Sequence, residues 1–185
     1  MIEPALALLE YKSVARGIQS CDAMVKKAPV RILESHPVCP GKYINIVCGE
    51  VADVEESWQE GLESGGDMVV ADLFLPFIHR DVIPALAGTT KIERFGALGV
   101  VETFAVATCL RAADIAAKAT AAQLVEIRLA NGLGGKAYFV MTGELPDVEE
   151  ALAAAADFAR QEGQLAGESL IASPHPDLLD KGIYW

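Results

Sequence analysis

The sequence repeats once, and this repeat constrains the fold more than any other feature. Four charged residues recur 92 positions later: Glu10 as Glu102, Asp22 as Asp114, Lys26 as Lys118 and Glu34 as Glu126. After a loop the spacing becomes 94, so that Gly41-Lys42 corresponds to Gly135-Lys136 and the second copy holds two additional residues. We therefore predict a chain built from two tandem copies of one unit.

Hydrophobic periodicity predicts the same order of elements in each copy. The predicted elements of the first copy are a strand at 5–10, a helix capped by Ser13 and ending near 28, strands at 30–35 and 42–49, a helix from Asp53 to 64, a strand at 68–75 and a short helix at 80–87. The order β-α-β-β-α-β predicts an α/β (α+β) domain of the ferredoxin-like kind, with an antiparallel sheet and helices against one face. We place the two domains at 1–90 and 91–185.

Composition excludes several classes of function. The 185 residues are 52% hydrophobic, and their net charge of −11 argues against nucleic acid as a partner, because a phosphate backbone needs a basic face. No apolar run approaches the roughly 18 residues of a membrane span, and the N-terminus lacks the basic region of a signal peptide. Four cysteines without disulfide or C-x-x-C spacing predict reduced thiols and a cytoplasmic protein. No catalytic motif is present, so we expect that the chain is not an enzyme.

The two predicted hairpins differ in their loops. The first loop contains Cys39-Pro40-Gly41, in which proline and glycine favour a tight turn that presents the thiol outward. The second contains Gly132-Leu133-Gly134-Gly135 and has no cysteine. The glycine run precedes a strand and not a helix, so we do not expect it to bind phosphate through a helix dipole. We interpret these glycines as allowing close approach around an axis.

These motifs resemble a known family, the bacterial microcompartment shell domain. The resemblance rests on ALGVVET from Ala97, on Asp114 and Lys118, on the Gly-Gly-Lys loop from Gly134 and on the Gly143-Glu144 turn. Two such domains in unpermuted order resemble the trimeric, tandem-domain class. The Cys-Pro-Gly-Lys loop is most similar to the propanediol-utilisation, or T-type, subgroup. The similarity extends from about residue 5 to residue 175.

The resemblance implies a pseudohexameric homotrimer that tiles, with other shell proteins, into a shell around metabolic enzymes in the cytoplasm. Its central pore would be lined by the two loops, at Cys39, Pro40, Gly41, Gly132, Leu133, Gly134 and Gly135. In the T-type subgroup three copies of Cys39 are implied to ligate a 4Fe–4S cluster for electron transfer or cluster delivery, with encapsulated redox enzymes as possible partners. One cysteine per chain cannot supply the four thiolates that a cubane cluster takes. Lys26 and Lys118 match the edge lysines of the family.

The chain departs from the family at two places and leaves alternatives open. The family's Ile-Pro-Arg-Pro-His segment reads IASPH at 171–175 and LPFIH at 75–79, so the usual arginine is absent. We expect structural roles for His36, His79 and His175, and we assign no role to the Tyr184-Trp185 tail. One alternative function is a shell protein with a plain pore for small metabolites. Another is a soluble ligand-binding or thiol-redox protein on the same scaffold.

Overall fold

The computed structural model describes residues 4–181, so the Tyr184-Trp185 tail lies outside the described residues. The chain forms two compact units, which divide between Ile78 and His79. Each unit contains a β-α-β-β-α-β core with a four-stranded antiparallel sheet, and the predicted fold class is confirmed. In the described residues, no helix is both long and apolar enough to cross a membrane.

The first unit has six main elements and one 3₁₀ turn. They are β1 (Ala5–Tyr11), α1 (Val14–Lys27), β2 (Arg31–Val38), β3 (Lys42–Gly49), α2 (Val51–Gly65), the 3₁₀ turn (Gly66–Met68) and β4 (Val69–Pro76). The strands pair in the order β2-β3-β1-β4. β2 and β3 are joined by the three residues that contain the thiol, because Val38 pairs with Lys42 across the hairpin.

Helix α1 begins where the sequence predicts, and two glycines bring the helices close to the sheet. Ser13 accepts a hydrogen bond from the Arg16 backbone N at 3.3 Å and so caps α1. A Cβ on Gly17 would lie 2.5 Å from Cδ1 of Tyr43, and one on Gly61 would lie 2.2 Å from Cδ1 of Leu9. The glycines therefore set the distance between the helices and the core side chains of the sheet.

The second unit repeats these elements and adds a short helix at each end. Its elements are α3 (Val82–Leu86), β5 (Ala97–Thr103), α4 (Val106–Ala119), β6 (Gln123–Leu129), β7 (Ala137–Gly143), α5 (Leu145–Gln161), β8 (Leu165–Ile171) and α6 (Pro176–Lys181). The strand order is β6-β7-β5-β8, which matches the first sheet. The loop between β6 and β7 has seven residues, so the additional residues of the second copy lie in this hairpin.

Helix α3 lies with the second unit, although its sequence follows the first copy. It packs against β6 and α4, and the division at Ile78 therefore falls earlier in the chain than residue 90, where the sequence analysis placed it. Helix α2 also begins slightly earlier than predicted: Val51 and not Asp53 starts it, with Glu50 at the capping position and no side-chain cap. Asp53 instead lies in the first turn, where its negative charge interacts favourably with the positive end of the helix dipole.

Candidate functional site

The Cys39 loop is a three-residue turn at the tip of the β2–β3 hairpin. Gly41 has φ +73°, and a Cβ there would meet no atom within 4 Å, so the turn stands clear of its surroundings. The Cys39–Pro40 peptide is cis. Cys39 is partly exposed, whereas Cys21, Cys48 and Cys109 are buried. Among the four cysteines, only Cys39 is available to a ligand outside the chain.

An ion pair fixes the strand that follows the loop. Lys42, the first residue of β3, places its Nζ 3.1 Å from Oε1 of the buried Glu10 on β1. On the preceding strand, His36 pairs through Nε2 with Oε2 of Glu34 at 3.1 Å, and its Nδ1 lies 3.1 Å from the carbonyl oxygen of Pro37. Both ring nitrogens of His36 thus have partners within β2, which agrees with the expected structural role.

The donor set of one chain does not suffice for a metal centre. Within residues 4–181 there is no group of three or more histidine, cysteine or acidic side chains that could hold a metal ion. Burial raises the pKa of Cys109 to about 12, so its thiol stays protonated and cannot serve as a thiolate ligand near neutral pH. The soft thiol of Cys39 has the right chemistry for an iron–sulfur cluster, but each chain contributes one such ligand. The residues fit a cluster only if several copies meet.

The second loop is longer and rich in left-handed backbone. Gly132, Gly134 and Gly135 have φ values of +72°, +64° and +94°, which glycine adopts without strain. The Lys136 backbone N donates to the carbonyl oxygen of Leu133 at 3.2 Å and holds the turn closed. A groove of about 380 Å³ lies along this loop, and its lining is Arg128, Asn131, Gly132, Leu133 and Tyr138.

Comparison with known proteins identifies the family. The protein-family model of the BMC domain matches residues 5–78 and again residues 97–174. This chain belongs to the BMC domain family of bacterial microcompartment shell proteins. The bacterial microcompartment shell protein PduT of Citrobacter freundii is 40% identical over 174 residues, which are 94% of this chain and 95% of the relative.

Two further similarities support membership of the BMC family. The carboxysome shell protein CsoS1 of Prochlorococcus marinus is 34% identical over 85 residues, which are 44% of this chain and 82% of that protein. The crystal structure of a microcompartments protein from Desulfitobacterium hafniense DCB has a TM-score of 0.92 and 42% sequence identity, and the match covers 96% of this chain and 99% of that one. The resemblance that the sequence motifs indicated is therefore confirmed, and the relatives are shell proteins, in agreement with the structural role expected.

The two lysines that match edge lysines of BMC domains differ in their surroundings. Lys26 lies 2.5 Å from Asp22, and both side chains are exposed. Lys118 lies 2.6 Å from Asp114, whose carboxylate is buried. Lys26 is therefore free to exchange partners at low cost, whereas Lys118 compensates a buried charge. The role of both lysines in contacts between tiles stays a prediction.

The structure adds a charge pair that the sequence analysis missed. Arg128 donates from Nε to Oε1 of the buried Glu126 at 2.6 Å, on strand β6 beside the glycine loop. Glu126 and Arg128 correspond to Glu34 and His36, because both residues recur at a spacing of 92. The spacing of 92 relates positions 36 and 128, but it does not show that the carboxylate of Glu126 is buried. The arginine therefore lies in the BMC domain without the thiol, at the edge of the groove.

In the first domain, the segment 75–79 has Phe77 at the position where the family has an arginine. Phe77 follows β4 and is among the most exposed large apolar residues of the chain, and its φ is +56°, a left-handed value that is unusual for phenylalanine. In the second domain, Ala172, Ser173 and Pro174 line a cleft of about 560 Å³ together with Arg94 and Phe95. Neither segment supplies an arginine of its own.

Proposed function

We propose that three copies of this chain form a shell tile in which the Cys39 thiolates jointly ligate a 4Fe–4S cluster. The observation that carries the proposal is the contrast among the cysteines: three are buried, while Cys39 lies at the tip of a clear-standing hairpin turn. A threefold arrangement would bring three thiolates to one axis. The fourth ligand position would be left to water or to the side chain of a partner.

The residues around Cys39 hold its thiol in place and are not themselves ligands of the proposed cluster. The β2–β3 register fixes where the turn begins and ends, and the pair between Lys42 and Glu10 holds the strand behind it. Gly41 leaves space beside the turn, so that copies of the loop can approach one another. When bound, a cluster supplies one-electron transfer across the shell, or is itself delivered through it. Encapsulated redox enzymes would be the partners of either process.

The tile would assemble with itself and with other shell proteins of a bacterial microcompartment in the cytoplasm. Membership of the BMC family and the 40% identity to PduT over nearly the whole chain support this partner set. The exposed Lys26 would take part in contacts between tiles, because its present partner Asp22 is also exposed and is replaced easily.

A plain pore for small metabolites is the second candidate function. The groove along the second loop favours it, because Arg128, Asn131 and Tyr138 offer polar groups beside glycine backbone. In this case Cys39 would line the pore as a neutral thiol together with Gly132 to Gly135. The soluble thiol-redox hypothesis has less support, because the relatives are shell proteins.

Iron and acid-labile sulfide per trimer decide between the two candidates. The protein is purified without oxygen, as wild type, as Cys39→Ser and as Cys48→Ala, where the last variant removes a buried thiol and keeps the loop. We expect about four iron and four sulfide per trimer in wild type and Cys48→Ala, and none in Cys39→Ser with its trimer intact. Trimers that hold no iron even after reconstitution would remove the cluster and leave the pore.

A further inference from the structure

The hairpins of the two units differ at one pair of facing residues. Ser35 on β2 lies directly opposite Asn45 on β3. In the second unit the corresponding residues are Ile127 and Phe139, which face each other across β6 and β7. Asn45, Ile127 and Phe139 are all buried. Because the same fold forms around an apolar pair, packing alone does not explain the polar pair of the first unit.

Ser35 and Asn45 connect both strands of the hairpin to helix α1. The Ser35 hydroxyl donates to Oδ1 of Asn45 at 2.9 Å, and Nδ2 of Asn45 donates to the carbonyl oxygen of Gly17 on α1 at 2.9 Å. The hydroxyl of Tyr43, also on β3, lies 3.1 Å from Oγ of Ser35. Asn45 therefore uses one end of its amide toward β2 and the other toward the helix. Hydrogen bonds depend on direction as well as distance, so this arrangement holds the hairpin in one geometry.

Helix α1 is itself held by buried polar contacts. The hydroxyl of Tyr11 on β1 lies 2.7 Å from Oγ of Ser20 on α1, and the Ser20 hydroxyl lies 3.1 Å from the carbonyl oxygen of Gly61 on α2. In the second unit the residues corresponding to Tyr11 and Ser20 are a threonine and an alanine. The helix to which Asn45 attaches the hairpin is therefore fixed to the central strand and to its neighbouring helix.

The pairing of β2 with β3 is irregular close to the thiol. β2 is an outer strand of its sheet, and its register with β3 shifts between Ile32 and Glu34. A slip of one residue would move the hairpin tip by about 3.3 Å and turn each side chain of β2 to the opposite face. Ser35 and Asn45 lie between this shift and the Cys39 loop. Their hydrogen bond therefore fixes the register on the side of the shift that carries the thiol.

We propose that Asn45 is a positioning residue for the Cys39 thiol: through Ser35 and Gly17 it fixes the β2–β3 hairpin on helix α1 and presents the thiol at one place. The need for this precision rests on the cluster function proposed above, because thiolates from three chains can share one cluster only if every loop has the same geometry. The hydrogen bonds themselves lie within one unit of one chain. They can therefore be tested in protein that holds no metal.

Hydrogen exchange followed by mass spectrometry tests the effect on the hairpin in metal-free protein. Ser35→Thr and Ser35→Val have nearly the same shape, but only threonine keeps the hydroxyl. We expect the amides of 36–44 to exchange about fivefold faster in Ser35→Val, the effect of losing one hydrogen bond, and within about twofold of wild type in Ser35→Thr. Asn45→Leu, which removes both bonds of the amide, should exchange at least as fast as Ser35→Val. The Ser35 pair carries the test if Asn45→Leu does not fold.

The location of the change distinguishes positioning from a general loss of stability. A less stable first unit would exchange faster in all four strands, whereas loss of the proposed contact leaves β1 and β4 within about twofold of wild type. Ile127→Val is the matched control, because it weakens the corresponding pair of the second unit by a similar amount and leaves the Cys39 hairpin unchanged. Equal exchange in Ser35→Thr and Ser35→Val, or acceleration spread evenly over the four strands, would overturn the inference.

Iron content separates this inference from the proposed function. After anaerobic reconstitution, we expect Ser35→Val trimers to hold at most about half the iron of wild type, and Ser35→Thr and Ile127→Val trimers to hold as much as wild type. Wild-type iron content in Ser35→Val would overturn the positioning role and leave the cluster in place. Faster exchange confined to the hairpin, in a protein whose wild type binds no iron, would support the positioning role and overturn the cluster.

Discussion

Replacing Lys42 by methionine tests whether the strand behind the Cys39 loop depends on a buried charge pair. The ammonium of Lys42 lies 3.1 Å from a carboxylate oxygen of Glu10, which is buried. Removing one partner of a fully buried pair costs about 3–5 kcal/mol, whereas an exposed pair contributes at most about 1 kcal/mol. The side chain of Lys42 is 34% exposed, so water can partly take its place beside the carboxylate in the variant. We therefore expect a loss of about 2 kcal/mol in the free energy of unfolding, which lies between these limits.

The repeat supplies matched controls for this prediction. Lys136 pairs with Glu102 at 2.6 Å in the second unit, where the acid is 36% exposed, and Lys26 pairs with an acid that is 61% exposed. We expect Lys136→Met to cost below about 1 kcal/mol and Lys26→Met to cost about 0.3 kcal/mol or less. The order of the three losses follows the burial of the carboxylate and not the length of the ion pair.

Urea unfolding measures the first unit separately. Trp58 lies on α2 and stacks on Phe74 with 5.6 Å between ring centroids, so its fluorescence in a Trp185→Phe background reports on the first unit. For Lys136→Met, circular dichroism follows both units, and the difference between its transition and that of Trp58 fluorescence reports on the second unit. In the double variant Glu10→Gln with Lys42→Met, the buried charge is absent and part of the loss is recovered. A Lys42→Met chain as stable as Lys26→Met would refute the reasoning.

Two further predictions concern packing and pH. Gly17→Ala should cost about 2 kcal/mol or more, because its Cβ would lie 2.5 Å from Cδ1 and 2.8 Å from Cβ of Tyr43, and only the backbone can relieve that contact. Gly49→Ala, whose Cβ would meet its nearest atom at 3.6 Å, should change the urea midpoint little, and equal losses in both would contradict the packing argument. Burial raises the pKa of the Cys109 thiol from 9.0 to about 12. The protonated thiol therefore contributes fully to the stability of the fold below the pKa of the unfolded chain, and this contribution is lost as the pH rises through the pKa of the folded protein. Between pH 8 and pH 10 wild type should therefore lose roughly 1 kcal/mol more than Cys109→Ala, and parallel losses in the two would show that the thiol does not contribute.

The fold was predictable because its signals are local or repeated. Charges at a constant spacing revealed two copies, and the periodicity of apolar residues located the main strands and helices of the first copy, with the same order expected in the second. Ser13 was recognised as a cap because its hydroxyl needs only the next turn of chain to act. The short loop at Cys39 followed from proline and glycine in the same way.

The differences between the copies were not predictable, because they arise from tertiary contacts. Asp22 and Asp114 are identical in sequence, yet only Asp114 receives the backbone N of His79 and becomes buried. Nothing local in 79–87 indicates that α3 packs on β6 and α4. The Glu126–Arg128 pair was equally hidden, because a short spacing on one strand does not reveal burial.

Two BMC domains in one polypeptide also change how substitutions are distributed around a ring. In a ring of identical single-domain chains, every loop has the same sequence. A cysteine in the turn would therefore appear in every domain of the ring. Here the three-residue loop with Cys39 and the seven-residue loop with its glycines are encoded separately. A ring of the proposed kind therefore carries one Cys39 loop for every two domains, so that the Cys39 thiols number half of the domains. Fusion allows one loop to carry a cysteine while the other keeps its own length and backbone shape.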